Sequence, residues 1–193
     1  MRVNKEHFFE GGYYHLFNHS AKGQLLFRCQ ADYEYCQKLL TQHLSQELFS
    51  VYAWCLMPNH FHFLIQQLTE MPVSEPFFHI WNKYTKYYNR TYEEFGSVFC
   101  HKLQHIVVKS QEHLQALIAY IHLNPVMAGI VSDPGAWKWS DYLSWIGEKE
   151  SGLFKPELRN SWYNEPDNYR RQVLEISSDN LSPELLMDNQ VRY

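Results

Sequence analysis

Two short segments carry the residue types that chemistry needs. The first is Met57-Pro58-Asn59-His60-Phe61-His62-Phe63-Leu64-Ile65. On a β-strand successive side chains point to opposite faces, so His60 and His62 share one face while Phe61 and Phe63 take the other. Two imidazoles on one side of an apolar strand carry a desolvation cost. Hydrogen-bond partners would relieve it and make them structural, or a divalent cation would relieve it and make them ligands. The second segment is Ala119-Tyr120-Ile121-His122-Leu123-Asn124-Pro125-Val126. On a helix, Tyr120 and Asn124 are four apart and share a face, so a hydroxyl and an amide oxygen are presented together. The bland reading of the same pair is a buried tyrosine with a satisfied hydroxyl and an asparagine capping the chain after Pro125.

The surrounding chain supplies elements to hold both segments. Residues 13–18 (YYHLFN) and 48–56 (LFSVYAWCL) are rich in aromatic and β-branched residues and read as strands. Between them Asp32 is placed to cap a helix whose apolar positions are Tyr33, Cys36, Leu39, Leu40 and Leu44. The turn at Met57-Pro58-Asn59 makes the histidine strand the second arm of a hairpin. Ser74 and Pro76 then start a helix in which Phe77, Trp81, Tyr84 and Tyr88 form a core-facing stripe and Lys83, Lys86 and Arg90 an outer basic face. Residues 97–108 read as a strand pair or one long strand. Ser110 caps a second long helix from about Gln111 to Leu123, which Asn124-Pro125 is expected to interrupt before a short segment over 126–131. Trp137, Trp139, Tyr142 and Trp145 form a cluster expected against the sheet edge, and residues 169–176 a last helix.

Taken together, the MPNHFHFLI strand followed some sixty residues later by YIHLNPVMAG resembles the single-tyrosine (Y1) transposases of the IS200/IS605 type, and among them the REP-associated tyrosine transposases. Tyr14-His15-Leu16-Phe17-Asn18-His19, Phe27-Arg28, Gly96-Ser97-Val98-Phe99 and Trp137-Lys138-Trp139-Ser140-Asp141-Tyr142 support the likeness, which covers about residues 8–146. It implies an α+β fold of the HUH endonuclease type, a ferredoxin-like antiparallel sheet with helices packed on one face, over residues 1–147, plus a C-terminal extension over 148–193. It also implies that His60 and His62 bind a divalent cation, that Asn124 completes the metal site and that Tyr120 is the nucleophile. Tyr84, Tyr87, Tyr88 and Tyr92 rank below Tyr120.

The expected activity is metal-dependent cleavage and rejoining of single-stranded DNA beside a palindromic hairpin, through a 5'-phosphotyrosine intermediate. Mg2+ or Mn2+ is the expected ion, and a two-histidine site would also take Zn2+, Ni2+ or Co2+ in purified protein. Lys83, Lys86, Arg90, Lys102 and Lys109 are the expected DNA-backbone contacts. The chain departs from the family where arginines are common: Cys100-His101-Lys102-Leu103-Gln104-His105 follows the glycine turn, and Met127 follows NPV. Two other readings compete. One is a domesticated hairpin-DNA-binding or processing protein that does not transpose. The other is a metal-dependent hydrolase that activates water.

Composition bounds these readings. The 193 residues are 45% hydrophobic and 20% charged, which excludes a disordered tail. No apolar run approaches the ~20 residues of a bilayer span and the N-terminus lacks a secretory h-region, so a cytoplasmic location without membrane contact is expected. Cys29, Cys36, Cys55 and Cys100 show no C-x-x-C spacing and read as reduced. A net charge of -4 argues against a generic electrostatic nucleic-acid binder. The acidity is concentrated at the end, however, where residues 148–193 hold nine acidic and six basic side chains. Tyr169-Arg170-Arg171 is the one part of that extension expected to meet DNA. The chain is expected to act as a monomer or a homodimer.

Overall fold

A computed structural model describes residues 8–149, 153 and 165–175. Strands β1 (Tyr13–His19), β2 (Phe49–Met57), β3 (His60–Gln67) and β4 (Gln104–Val108) form one antiparallel sheet in the order β2-β3-β1-β4. Helix α1 (Gln30–His43) joins β1 to β2, and α2 (Ser74–Tyr92) joins β3 to β4. The βαββαβ order is the ferredoxin-like arrangement expected from the sequence. Three helices follow: α3 (Gln111–Met127), α4 (Tyr142–Trp145) and α5 (Pro166–Glu175). No helix of the described residues is long and apolar enough to cross a membrane.

The alternation of β3 divides the molecule into two cores. Phe61, Phe63 and Ile65 join Tyr14, Leu16, Trp54 and Leu56 beneath α1 and α2, with Phe77, Ile80, Trp81, Tyr84 and Tyr88 supplying the aromatic stripe. Ala53, Cys55, Met57 and Leu64 face the other way and pack against Leu117, Ile118 and Ile121 of α3. The helices therefore cover both faces of the sheet, where one face was expected. The physical reason lies in α3 itself. Residues 117–125 are all buried, so an apolar surface runs around the whole helix and needs partners on both sides. The sheet lies in front, and Tyr142, Trp145, Tyr169 and Val173 lie behind.

Three local expectations are corrected. Asp32 is not the N-cap of α1 but its third residue; its carboxylate reaches back to accept from the Arg28 and Cys29 amides, 2.7 and 3.1 Å away, as the reciprocal half of a capping box. Helix α3 runs through Pro125 to Met127, because a proline this close to the helix end removes one donor without cutting a long ladder. Of residues 97–108, only Gln104–Val108 forms a strand: the chain before it touches the end of β1 through one Phe99–Ser20 bridge and the Cys100 amide on the His19 carbonyl, and residues 101–103 loop out between the two pairings, with the His101 carbonyl held by the Asn18 side-chain amide.

The aromatic cluster lies where expected, on the open edge of β2. The Leu56 amide donates to the Trp139 carbonyl at 2.8 Å. The Trp54 amide donates to the Asp141 carboxylate at 2.7 Å, and the indoles of Trp137 and Trp145 donate to the Leu56 and Tyr52 carbonyls. An edge whose backbone groups are satisfied this way cannot pair with another chain. Within β2 the register slips once: Val51 pairs with Ile65 and Ala53 with Leu64, leaving Tyr52 outside the ladder as a bulge.

Candidate active site

The β2–β3 hairpin pairs Met57 with His60 and Cys55 with His62, and this register turns both imidazoles toward α3. Helix α3 crosses that face with Tyr120 and Asn124 on its sheet side. The Asn124 amide spans the two rings: its Oδ1 is 3.0 Å from His60 Nε2 and its Nδ2 is 3.2 Å from His62 Nε2. The Tyr120 ring stands edge-on to His62 with centroids 5.6 Å apart. The four residues singled out in sequence thus meet at one place. Asn124 does not act as a cap, since its side chain is committed to the histidines.

Two further histidines on β1 complete the cluster. His15 Nε2 lies 3.1 Å from His62 Nδ1, and the His15 ring is edge-on to Tyr120. His19 pairs with His60 across the strands and stacks on it at 4.9 Å, and its Nε2 is buried with no hydrogen-bond partner. Sequence reasoning missed both. The signal was present in Tyr13-Tyr14-His15-Leu16-Phe17-Asn18-His19, whose alternation puts Tyr13, His15, Phe17 and His19 on one face. The alternation within β1 does not by itself set this strand beside β3; the ferredoxin-like strand order does, and that adjacency gives these histidines their meaning.

Burial keeps these rings neutral. It pushes the His60 pKa down to about 4, aided by His19 and opposed by the Asn124 hydrogen bond. The same desolvation, reinforced by His60, His15 and His19, holds His62 well below the usual imidazole range. His15 falls to about 3, chiefly through burial and then through His113. Neutral imidazoles keep the lone pairs that a cation requires.

The outer hydrogen bonds suit the same role. His60 Nδ1 is 2.7 Å from Asn59 Oδ1, an acceptor. When His60 donates there and His62 Nδ1 donates to His15, both Nε2 atoms present lone pairs inward. His60 Nε2 then faces the Asn124 oxygen, acceptor against acceptor, at 3.0 Å. His60 and Asn124 would hold a divalent cation here, whose positive charge would relieve that repulsion. Among the described residues no group of three or more His, Cys, Asp or Glu side chains converges as a metal site. The donors that His60, His62 and Asn124 would offer are two imidazoles and one amide oxygen, a set that would suit an open-sided divalent site.

The expected basic residues are not brought together. Lys83, Lys86 and Arg90 project from α2, on the sheet face opposite the histidines, and Lys83 Nζ sits 2.9 Å from His43 Nε2. Lys102 and Lys109 are exposed at either end of β4. The competing tyrosines are structural: Tyr84 and Tyr88 donate to the Leu26 and Leu25 carbonyls, and Tyr87 and Tyr92 donate to the buried Asp32 carboxylate. The expected DNA contact at Tyr169 is corrected as well, because its ring is buried behind α3 and its hydroxyl is bonded to His122, while Arg170 pairs with Glu148.

In this ferredoxin-like fold the strand that carries the paired histidines faces the helix that carries Tyr120 and Asn124. Residues 8–124 match the family model "Transposase IS200 like", and the chain belongs to that family of tyrosine transposases. Its fold is similar to that of a REP-associated tyrosine transposase solved bound to a REP hairpin. That match has 17% sequence identity and a TM-score of 0.65, and it covers 81% of this chain and 90% of the other. No curated protein matches the sequence.

Proposed function

We propose that this transposase cleaves and rejoins single-stranded DNA beside hairpins, with Tyr120 as nucleophile and His60, His62 and Asn124 as the seat of a divalent cation, Mg2+ or Mn2+ in the cell. The observation that carries the reading is the convergence of these four side chains across β3 and α3. A cation held there supplies positive charge to the phosphate oxygens as negative charge develops on them. The Tyr120 oxygen forms a bond to phosphorus while the bond from phosphorus to the 3'-oxygen breaks. The tyrosine loses a proton and the departing 3'-hydroxyl gains one, so the exchange balances without water. The 5'-phosphotyrosine conserves the phosphodiester energy, and another 3'-hydroxyl reverses the step to join a new strand. Tyr120 is only 1% exposed, so its hydroxyl must be uncovered by movement of its side chain before it meets DNA.

The hairpin partner is proposed from the solved relative, and Lys102 and Lys109 are the basic residues best placed to guide the strand toward the histidine face. Lys83, Lys86 and Arg90 would serve a duplex stem wrapping to the opposite side. Residues 1–147 would form the catalytic unit, acting in the cytoplasm as a monomer or homodimer.

Hairpin DNA labelled at either end and incubated with Mg2+ or Mn2+ tests this reading. A covalent adduct carrying the 3'-labelled fragment, and free 5'-labelled product, are expected. Cleavage over many turnovers with no adduct would replace it with a hydrolase, and binding without cleavage with a domesticated hairpin binder.

Two milder variants probe the cation seat. Asn124→Ala should weaken cation binding about tenfold while leaving measurable cleavage, because water can replace a neutral ligand; calorimetry with Mn2+ reads this directly. His15→Phe keeps an aromatic ring but loses the bond that orients His62. It should lower cation affinity on the order of 10- to 100-fold, the usual effect of removing an outer partner of a ligating histidine. Unchanged affinity would remove His15 from the site.

A further inference from the structure

Three buried polar groups that the proposed reaction does not use form a chain behind α3. His122 lies between Tyr120 and Asn124 in sequence, and two residues turn a helix by about 200°, so its side chain points away from the sheet. Its Nε2 is 2.9 Å from Asp141 Oδ1 and its Nδ1 is 2.5 Å from the Tyr169 hydroxyl. The His122 and Asp141 side chains are wholly buried, and Tyr169 is 1% exposed. The same Asp141 oxygen accepts the Trp54 amide at 2.7 Å. A continuous series of hydrogen bonds therefore runs from β2 through Asp141 and His122 to α5.

With the His122 proton on Nε2 the donors and acceptors match along this series, while the second Asp141 oxygen, Oδ2, is buried without a hydrogen bond. The Tyr169 hydroxyl donates to His122 Nδ1, and Nε2–H donates to the Asp141 carboxylate. Around it, the Tyr169 ring lies 4.7 Å from Trp145 and Val173 is fully buried in the same cluster. Apolar side chains would fill this space at lower desolvation cost. What these directional hydrogen bonds add is a single orientation.

We propose that Tyr169 and His122 are positioning residues, which set the roll of α3 so that Tyr120 and Asn124 of the same chain stay opposed to His62 and His60. The assignment rests on the catalytic reading given above for those four residues. Its physical basis is leverage. A side-chain tip roughly 6 Å from a helix axis moves about 2 Å when the helix rolls by about 20°. That displacement breaks the 3.0 and 3.2 Å contacts of Asn124, and misplacements of about 1 Å in an active site cost on the order of 100-fold in rate. Residues of the C-terminal extension thereby act on the chemistry without reaching the substrate.

The test compares Tyr169→Phe, which deletes one oxygen, with Val173→Ala, which loosens the same helix by packing alone. In the full-length protein, Tyr169→Phe should slow single-turnover adduct formation about tenfold with hairpin affinity unchanged. It should also speed amide exchange over residues 118–124 and weaken Mn2+ binding measured by calorimetry. Val173→Ala, at equal or greater loss of melting temperature, should leave adduct rate and Mn2+ affinity near wild type. Unchanged exchange, Mn2+ affinity and rate in Tyr169→Phe would overturn the proposal, as would equal effects from both variants. A Tyr169→Phe protein that fails to fold would assign the hydroxyl to global stability and overturn it too. Should the wild type form no adduct, the catalytic reading fails separately, and exchange and calorimetry still decide the role of Tyr169.

Discussion

Tyr120→Phe should form no adduct and cleave no hairpin DNA while still binding both Mn2+ and the hairpin. The substitution removes one oxygen and keeps the ring that stands edge-on to His62 and His15, so packing of α3 changes little. Loss of a covalent nucleophile typically lowers a rate by about four orders of magnitude or more. A denaturing gel of labelled hairpin incubated with the variant measures it. An adduct that persists would move the nucleophile elsewhere. The tyrosines of α2 are poor substitutes, since the hydroxyls of Tyr84, Tyr87, Tyr88 and Tyr92 are engaged on the opposite face of the sheet.

His62→Ala should abolish Mn2+ binding and cleavage together while hairpin affinity survives, because DNA-backbone contacts would come from other residues. His62 is the hub of the cluster, touching His15 through Nδ1 and Asn124 through Nε2. Its loss leaves a cavity and takes one hydrogen bond from each of His15 and Asn124, so a stability penalty of about 2 kcal/mol accompanies the functional one. Calorimetry separates the two effects, since a folded His62→Ala protein gives a full melting transition with no heat of cation binding. Wild-type cleavage by that protein would end the cation-site reading. His60→Ala should behave alike in cleavage.

The strongly periodic parts of the chain were legible beforehand. The alternation of His60-Phe61-His62-Phe63 specified one polar and one apolar face, and the spacing of Phe77, Trp81, Tyr84 and Tyr88 specified how α2 meets the sheet. Ser110 was readable as a cap because its hydroxyl has one nearby donor to satisfy, the His113 amide. What stayed hidden depends on which elements become neighbours. His15 and His19 matter only because β1 inserts between β3 and β4. The basic face of α2 looked like part of the site because charge is visible in sequence while the sheet face it ends on is not. His122 gave no sign of its role, since its partners Asp141 and Tyr169 lie 19 and 47 residues further along the chain and only the tertiary fold brings them behind α3.

The slip in β2 bears on which changes of length this strand can absorb. Phe49 and Val51 contribute to the core under α1 and α2, and so do Trp54 and Leu56, while Ala53, Cys55 and Met57 face α3. Odd positions point one way before Tyr52 and the opposite way after it. With Tyr52 taken out of the count, the strand alternates without fault from Phe49 to Met57. The bulge is thus a regular eight-residue strand carrying one added residue, held in place by the Tyr13 and Gln66 side chains and by the Trp145 indole on its carbonyl. Deleting Tyr52 would leave every other side chain of β2 on its present face. Deleting Cys55 instead would invert everything between it and Tyr52, sending Trp54 toward the histidines. Among relatives that differ in length here, the gap is expected to fall at Tyr52.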